Sequence, residues 1–278
     1  MRRLSYPIAV VILASVVASV LASEAASEAA LPSAGYAQGR GGARAGGPAG
    51  PPPAAKAIAP EDLTGTYVAV VTEHWHLRML VPPKGEFAML PLNPEARRVA
   101  GLWDPAKEPA GDEQCKSYGA AAIMRVPSRI DIRWADDNTL KMDIDSGTQS
   151  RLLHFNAPAP ATSTPTWQGY SVATWEGVGG RAGRGGPGDS TVGHLKVVTT
   201  KMKPGYLRKN GVPYSENAVL EEHYDHFTEP DNTTWVVVTT IVTDPMYLAG
   251  PYVTTNHFKK IPDRQGWDPT PCRADQAR

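Results

Sequence analysis

The run Ile130–Phe155, IDIRWADDNTLKMDIDSGTQSRLLHF, decides the architecture. Ile130-Asp131-Ile132-Arg133-Trp134 alternates strictly and ends in the turn Ala135-Asp136-Asp137-Asn138. Leu140–Asp145 alternates again, and Ser146-Gly147 turns the chain into Thr148–Phe155. Side chains on a strand point to opposite faces in turn, so one apolar and one charged face describe antiparallel strands with one wet side. The pattern continues downstream in Trp167–Glu176, Leu195–Met202, Ala218–Phe227, Thr234–Val242 and Tyr252–Lys260, separated by turn-forming or Pro-rich segments. About nine or ten strands in up-and-down order leave two exposed edges unless they close on themselves. The expected fold is therefore all-β, a lipocalin-like antiparallel barrel with one short helix.

Upstream, Gly65–Val81 (GTYVAVVTEHWHLRMLV) reads as one long strand. Val68, Val70, Thr72, His74, His76 and Arg78 share one face of it, which turns from apolar to polar toward one end, as the wall of a cavity would. The opposite face, with Tyr67, Ala69, Val71 and Trp75, would serve as the core face if the register were flipped. Phe87–Leu92 reads as a short strand, and Ala120–Val126 as a strand or helical turn. Asn93-Pro94 opens the expected helix, Glu95–Trp103, with a capping side chain followed by proline at the first helical position.

The start of the chain carries a different message. Met1-Arg2-Arg3 is followed by the apolar stretch Pro7–Ala22 and small residues suited to cleavage, the layout of a secretory signal peptide over residues 1–22. Those sixteen apolar residues fall short of the roughly 20 a membrane-spanning helix needs, so no stable anchor is expected after cleavage. Residues 23–60 are built from Ala, Gly and Pro and read as a disordered tether. The domain is then 61–278, in a periplasmic or extracellular protein. Its 23 basic and 26 acidic side chains form no basic excess, which argues against a nucleic-acid partner. The two cysteines, Cys115 and Cys272, are expected to pair in an exported chain.

The segments Gly211-Val212-Pro213-Tyr214-Ser215 and Asp244-Pro245-Met246-Tyr247-Leu248 resemble the last strands of an uncharacterised group of exported bacterial proteins with lipocalin-like, calycin-type barrels. The resemblance implies the fold and supplies no catalytic residues. Gly65-Thr66-Tyr67 stands where a true lipocalin opens with Gly-x-Trp.

Functional candidates come from polar residues on strands. His74, His76, Arg78, Glu222, Asp244 and His257 are the expected ligand-binding set, aimed into the barrel cavity. The expected partner is a small apolar or amphipathic molecule, since a cavity lined by tryptophan and aliphatic side chains with a few polar anchors is the usual small-molecule site. The alternative is a cofactor-free lyase, isomerase or hydratase using His74, Glu222 or His257 as acid–base groups. His74 and His76 also offer the core of a metal site, completed by Glu222 or His257; the leading reading needs neither metal nor cofactor. Gly177–Gly193 reads as a long loop covering a mouth. Three motif matches carry nothing: the glycines at 177–182 precede no helix, Gly169–Ala173 lies within a strand, and Asn232-Thr233-Thr234 is a glycosylation sequon by pattern alone.

Overall fold

Strand by strand, the alternation pattern translates into a closed sheet. The computed structural model describes residues 52–109, 111–177 and 193–278. The expected signal peptide, the expected tether as far as Pro51 and residues 178–192, read from sequence as a loop over a mouth, lie outside the described residues. The strands are β1 Gly65–Val70, β2 Arg129–Asp136, β3 Thr139–Ile144, β4 Gln149–Phe155, β5 Tyr170–Gly177, β6 Gly193–Thr200, β7 Gly205–Arg208, β8 Val212–Tyr214, β9 Val219–Thr228, β10 Thr234–Thr243 and β11 Tyr252–Ile261. Nine of them close in the order β1-β11-β10-β9-β6-β5-β4-β3-β2, while β7 and β8 form a separate hairpin.

Two departures from an up-and-down meander follow from the connections. The pair β4–β5 is parallel, Leu153–Phe155 facing Ser171–Ala173, so the Pro-rich segment 156–169 runs the length of the barrel before β5 begins. The hairpin β7–β8 interrupts the path from β6 to β9, which still pair directly. Gly211 serves this hairpin in a left-handed conformation, φ +79°, where a Cβ would also collide with the Trp103 ring.

Helical pieces gather at the barrel end reached by Val70, Ile144, Thr200 and Thr243. They are α1 Trp75–Arg78, α2 Pro94–Ala100, α3 Ala120–Ile123 and a 3-10 stretch, Gly111–Tyr118. Asn93 caps α2 as its sequence implies, its Oδ1 accepting from Ala96 N–H at 2.9 Å. Leu92, Ala96, Met202, Leu207, Tyr214, Leu220, Val242 and Tyr252 form a second core beneath these pieces. The barrel's own core holds Tyr67, Ile130, Met142, Phe155, Val197, Tyr224, Val238 and Phe258. Burying apolar surface at roughly 25 cal/mol per Å² makes these two clusters the main source of stability.

The long strand over 65–81 is not formed. β1 stops at Val70; Thr72–His74 leave the sheet, His74 adopts φ 47°, and α1 follows. Alternation over 72–79 is ambiguous because one helical turn satisfies it too, burying the neighbouring pair Leu77 and Arg78 and exposing Trp75 and His76. The register is also the flipped one: Tyr67 and Ala69 face the core, and Val68 does not. Phe87–Leu92 is likewise irregular, apart from a bridge from Leu92 to Leu248.

At the opposite end, Pro52–Pro60 pack against the barrel although their composition belongs to the tether. Ala55 is buried, its N–H reaching Asn138 Oδ1 at 2.9 Å and its carbonyl accepting from Trp175 Nε1 at 3.0 Å. The rings of Trp134, Phe155 and Trp175 lie beside it in series, with centroids 5.6 and 5.3 Å apart. One apolar alanine docking under an aromatic rim needs no periodicity, so composition carries no sign of it.

Candidate functional site

The six expected site residues do not converge. Glu222 points into the barrel from β9, and the middle of the barrel is filled by side chains. Arg151 on β4 meets Glu222 in a two-pronged ion pair, Nη1 to Oε1 at 2.9 Å and Nη2 to Oε2 at 2.6 Å. Tyr224 O–H donates to Glu222 Oε1 at 3.2 Å, and Arg151 Nη2 donates to Thr199 Oγ1 at 3.2 Å. Burial alone would push the Arg151 guanidinium down, but the adjoining Glu222 carboxylate outweighs it and holds the group above its usual range. Glu222 is thus committed to Arg151 within the core, where Arg151 Nε alone of the guanidinium nitrogens has no partner among the described residues.

Asp244 has a different role. Its carboxylate accepts from Ser215 N–H at 2.6 Å, Ser215 Oγ at 2.8 Å and Met246 N–H at 2.9 Å. The two segments that carried the family resemblance are therefore clasped together, and Asp244 closes a turn. His257 lies on the outer face of β11, half-buried, between inward-facing Asn256 and Phe258. His76 is exposed at α1, and His74 is half-buried beside Glu73, Arg125 and Val253–Thr255 in a cleft of about 230 Å³. The histidine pair, Glu222 and His257 thus occupy separate places, and the metal set proposed from them does not assemble.

Arg78 alone leads to a site, and it does so among residues that sequence reading passed over. On the capped end, a cavity of about 30 Å³ is lined by Arg78 from α1, Arg125 just after α3, and Arg208 and Lys209 from the β7–β8 hairpin. All four are buried, at 4, 8, 5 and 8 % exposure respectively. Buried cations are normally paired. Here the contacts go to backbone carbonyls: Arg78 Nε to Arg125 O at 3.0 Å, Arg208 Nη2 to Ala88 O at 2.8 Å and Lys209 Nζ to Gln276 O at 2.8 Å. Arg78 Nη1 and Nη2, Arg125 Nη2, and Arg208 Nε and Nη1 have no hydrogen-bond partner among the described residues. Leu77, Leu80, Val126 and Leu207 are the larger apolar residues of the lining, with Leu80 exposed at its edge.

Local structure explains the convergence. Asn210, fully buried, donates from Nδ2 to the carbonyls of Pro83 and Glu86 at 3.1 and 2.9 Å, drawing the hairpin against the segment after α1. The Cys115–Cys272 disulfide and the Tyr118 O–H bond to Arg273 O at 3.2 Å bring the C-terminal tail in from the other side. Lys209 Nζ sits 3.7 Å from the Tyr118 ring centroid.

The electrostatic cost is visible in the titration of these groups. Burial pushes Arg78 down to about 10, with Arg125 adding repulsion and Glu73 opposing it. Burial likewise lowers Arg125, with Arg208 repelling it. Lys209 is lowered to about 7 by burial, against a weak pull upward from Asp275. An unfolded lysine titrates near 10.4, so between about pH 7 and 10.4 the unfolded chain holds a proton that the folded chain has released, and stability rises with pH across that window. Lys209→Met is therefore expected to gain about 2–4 kcal/mol at pH 6, an advantage that shrinks steadily toward pH 10. Urea denaturation at pH 6, 8 and 10 measures it; parallel pH profiles for the two proteins would refute the assignment.

Fold and site together define an all-β closed barrel that carries a buried cationic pocket on its capped end. The fold is consistent with the calycin-like class. The chain matches no protein-family model, no curated protein and no solved structure.

Proposed function

We propose that this is an exported small-molecule-binding protein that takes an amphipathic anion, head first, into the Arg78–Arg125–Arg208–Lys209 pocket. The observation that carries the reading is the set of buried guanidinium nitrogens without partners among the described residues. A carboxylate or phosphoryl oxygen would accept from two or three of them and offset the mutual repulsion of the clustered cations. A cavity of about 30 Å³ has room for about one water-sized group, which suits a single anionic oxygen. Leu77 and Leu80 supply an apolar edge for the rest of the molecule. Export rests on the basic-apolar-small start of the chain and accords with the disulfide, and among the described residues no helix is long and apolar enough to cross a membrane. This reading keeps the expected amphipathic ligand and moves it from the barrel lumen to the cap.

Calorimetric titration with decanoate, decyl phosphate and decanol tests it. The two anions should bind and decanol should not. Arg78→Gln or Arg125→Gln should weaken binding about 10- to 100-fold, the worth of a charge-assisted hydrogen bond. Affinity should decline as pH rises through about 7, because Lys209 loses its charge there. Equal binding of decanol, or indifference to both arginine substitutions, would defeat the proposal.

One observation favours the catalytic alternative at the same place. An amine lowered to about 7 by burial beside fixed cations is the pairing that proton abstraction next to a ketone carbonyl requires, the amine taking the proton and the cations facing the enolate oxygen. Under that reading, a 2-keto carboxylate incubated with the protein in D2O should exchange its C3 protons faster than with Lys209→Met. Equal rates would discard it.

A further inference from the structure

Outside the cap, on the outer wall where β5, β6 and β9 run side by side, we infer a binding site for a divalent transition-metal ion, formed by Glu176, His194 and His223. Each offers one ligand atom, and the three atoms lie within 4.8 Å of one another. His194 Nε2 is 3.3 Å from His223 Nδ1 and 3.4 Å from Glu176 Oε2. Ligands bound tetrahedrally at 2.0–2.1 Å stand about 3.3–3.4 Å apart. The two spacings from His194 therefore match those of a zinc coordination shell, and the third, His223 to Glu176, lies within 4.8 Å.

The strand register produces this. Glu176 sits directly opposite His194 across β5–β6, and His223 opposite Lys196 across β6–β9. His194 and Lys196 are two apart, so they share a face, and His194 and His223 become diagonal neighbours. Rigid neighbouring strands hold all three.

A second feature points the same way. His223 Nε2 is 2.9 Å from Glu221 Oε1, so the ring's far nitrogen is held by a carboxylate. That partner keeps the proton on Nε2 and turns the Nδ1 lone pair toward His194 and Glu176, the arrangement by which metal-bound histidines are oriented. Lys196 Nζ lies 3.1 Å from Glu221 Oε2 and 3.9 Å from Glu176 Oε1. It engages the carboxylate oxygens that face away from the histidines, and its charge opposes an incoming cation. Side-chain exposures of 23 % for His194, 25 % for His223 and 43 % for Glu176 leave an approach from solvent. Three protein ligands leave a fourth position for water or an external donor.

Calorimetric titration of the full chain with Zn²⁺ at pH 7.5, with Mg²⁺ as control, tests the site. One zinc should bind per chain in the micromolar range or tighter, and Mg²⁺ should not compete. His194→Ala and His223→Ala should each weaken binding about 100-fold, and Glu221→Gln about 10-fold. The double variant His74→Ala/His76→Ala should leave it unchanged. Lys196→Met should tighten it several-fold, which keeps the test decisive should an alanine variant misfold. A wild-type chain that takes up no zinc, or zinc binding lost with His74 and His76 but retained without His194 and His223, would overturn the assignment.

Discussion

Glu222→Leu is expected to cost about 3–5 kcal/mol of stability, and adding Arg151→Met to it should recover most of the loss. Both side chains are sealed in the barrel, with no side-chain exposure. Removing the acid strands a guanidinium that neither water nor another carboxylate reaches. Thr199 and Ser171, at 3.2 and 3.5 Å from Arg151 Nη2, offer only neutral acceptors. Replacing both partners by apolar groups of similar volume removes the charge and its desolvation together, which is often neutral or stabilising. Urea unfolding of the wild type, both single variants and the double variant closes a double-mutant cycle. A loss below about 1 kcal/mol for Glu222→Leu, or strictly additive single effects, would show that this pair is not the sealed unit described. A large loss also argues against Glu222 as an acid–base group for any ligand, since it would be committed to Arg151.

The second large effect concerns the tail. The Cys115–Cys272 bond closes a loop with a sequence separation of 157, for which chain entropy gives at most about 5 kcal/mol. Cys272→Ala is expected to lower stability by about 3–5 kcal/mol. It should also loosen the last residues, whose remaining ties to the β3–β4 turn are polar contacts such as Thr270 N–H to Asp145 O at 3.0 Å, Thr148 Oγ1 to Thr270 O at 2.9 Å, and Arg278 to Asp145 Oδ2 at 2.7 Å and Ser146 Oγ at 3.1 Å. Gln276 O is the partner of Lys209, and Ala277 lines the basic cavity. The variant should accordingly bind decanoate more weakly than wild type at pH 6, and do so with faster hydrogen exchange confined to the tail. Unchanged stability together with unchanged binding would mean that the tail docks without the bond.

Most of the barrel was legible in residue order because its strands face a filled interior on one side and solvent on the other. β2, β3, β9, β10 and β11 fall within a residue or two of the alternating runs, and Asn93-Pro94 marks the start of α2. Alternation reports which residues share a face; it is silent on which face is in, and so Tyr67 rather than Val68 turned out to be the core residue of β1. It is equally silent on strand order, so the parallel β4–β5 pair and the β7–β8 hairpin emerge only from the closed sheet. The sites are less legible still. Arg78, Arg125, Arg208 and Lys209 come from three segments with no common period, and they meet because the hairpin, α1, α3 and the tail fold over one end. Glu176, His194 and His223 meet through register across three strands, a long-range property that no local spacing encodes. By itself the sequence determined an all-β barrel, one helix cap and a cysteine pair, each of which rests on local periodicity or on simple counting. Tertiary structure alone decided which charges are buried together, because burial and pairing depend on neighbours far away along the chain.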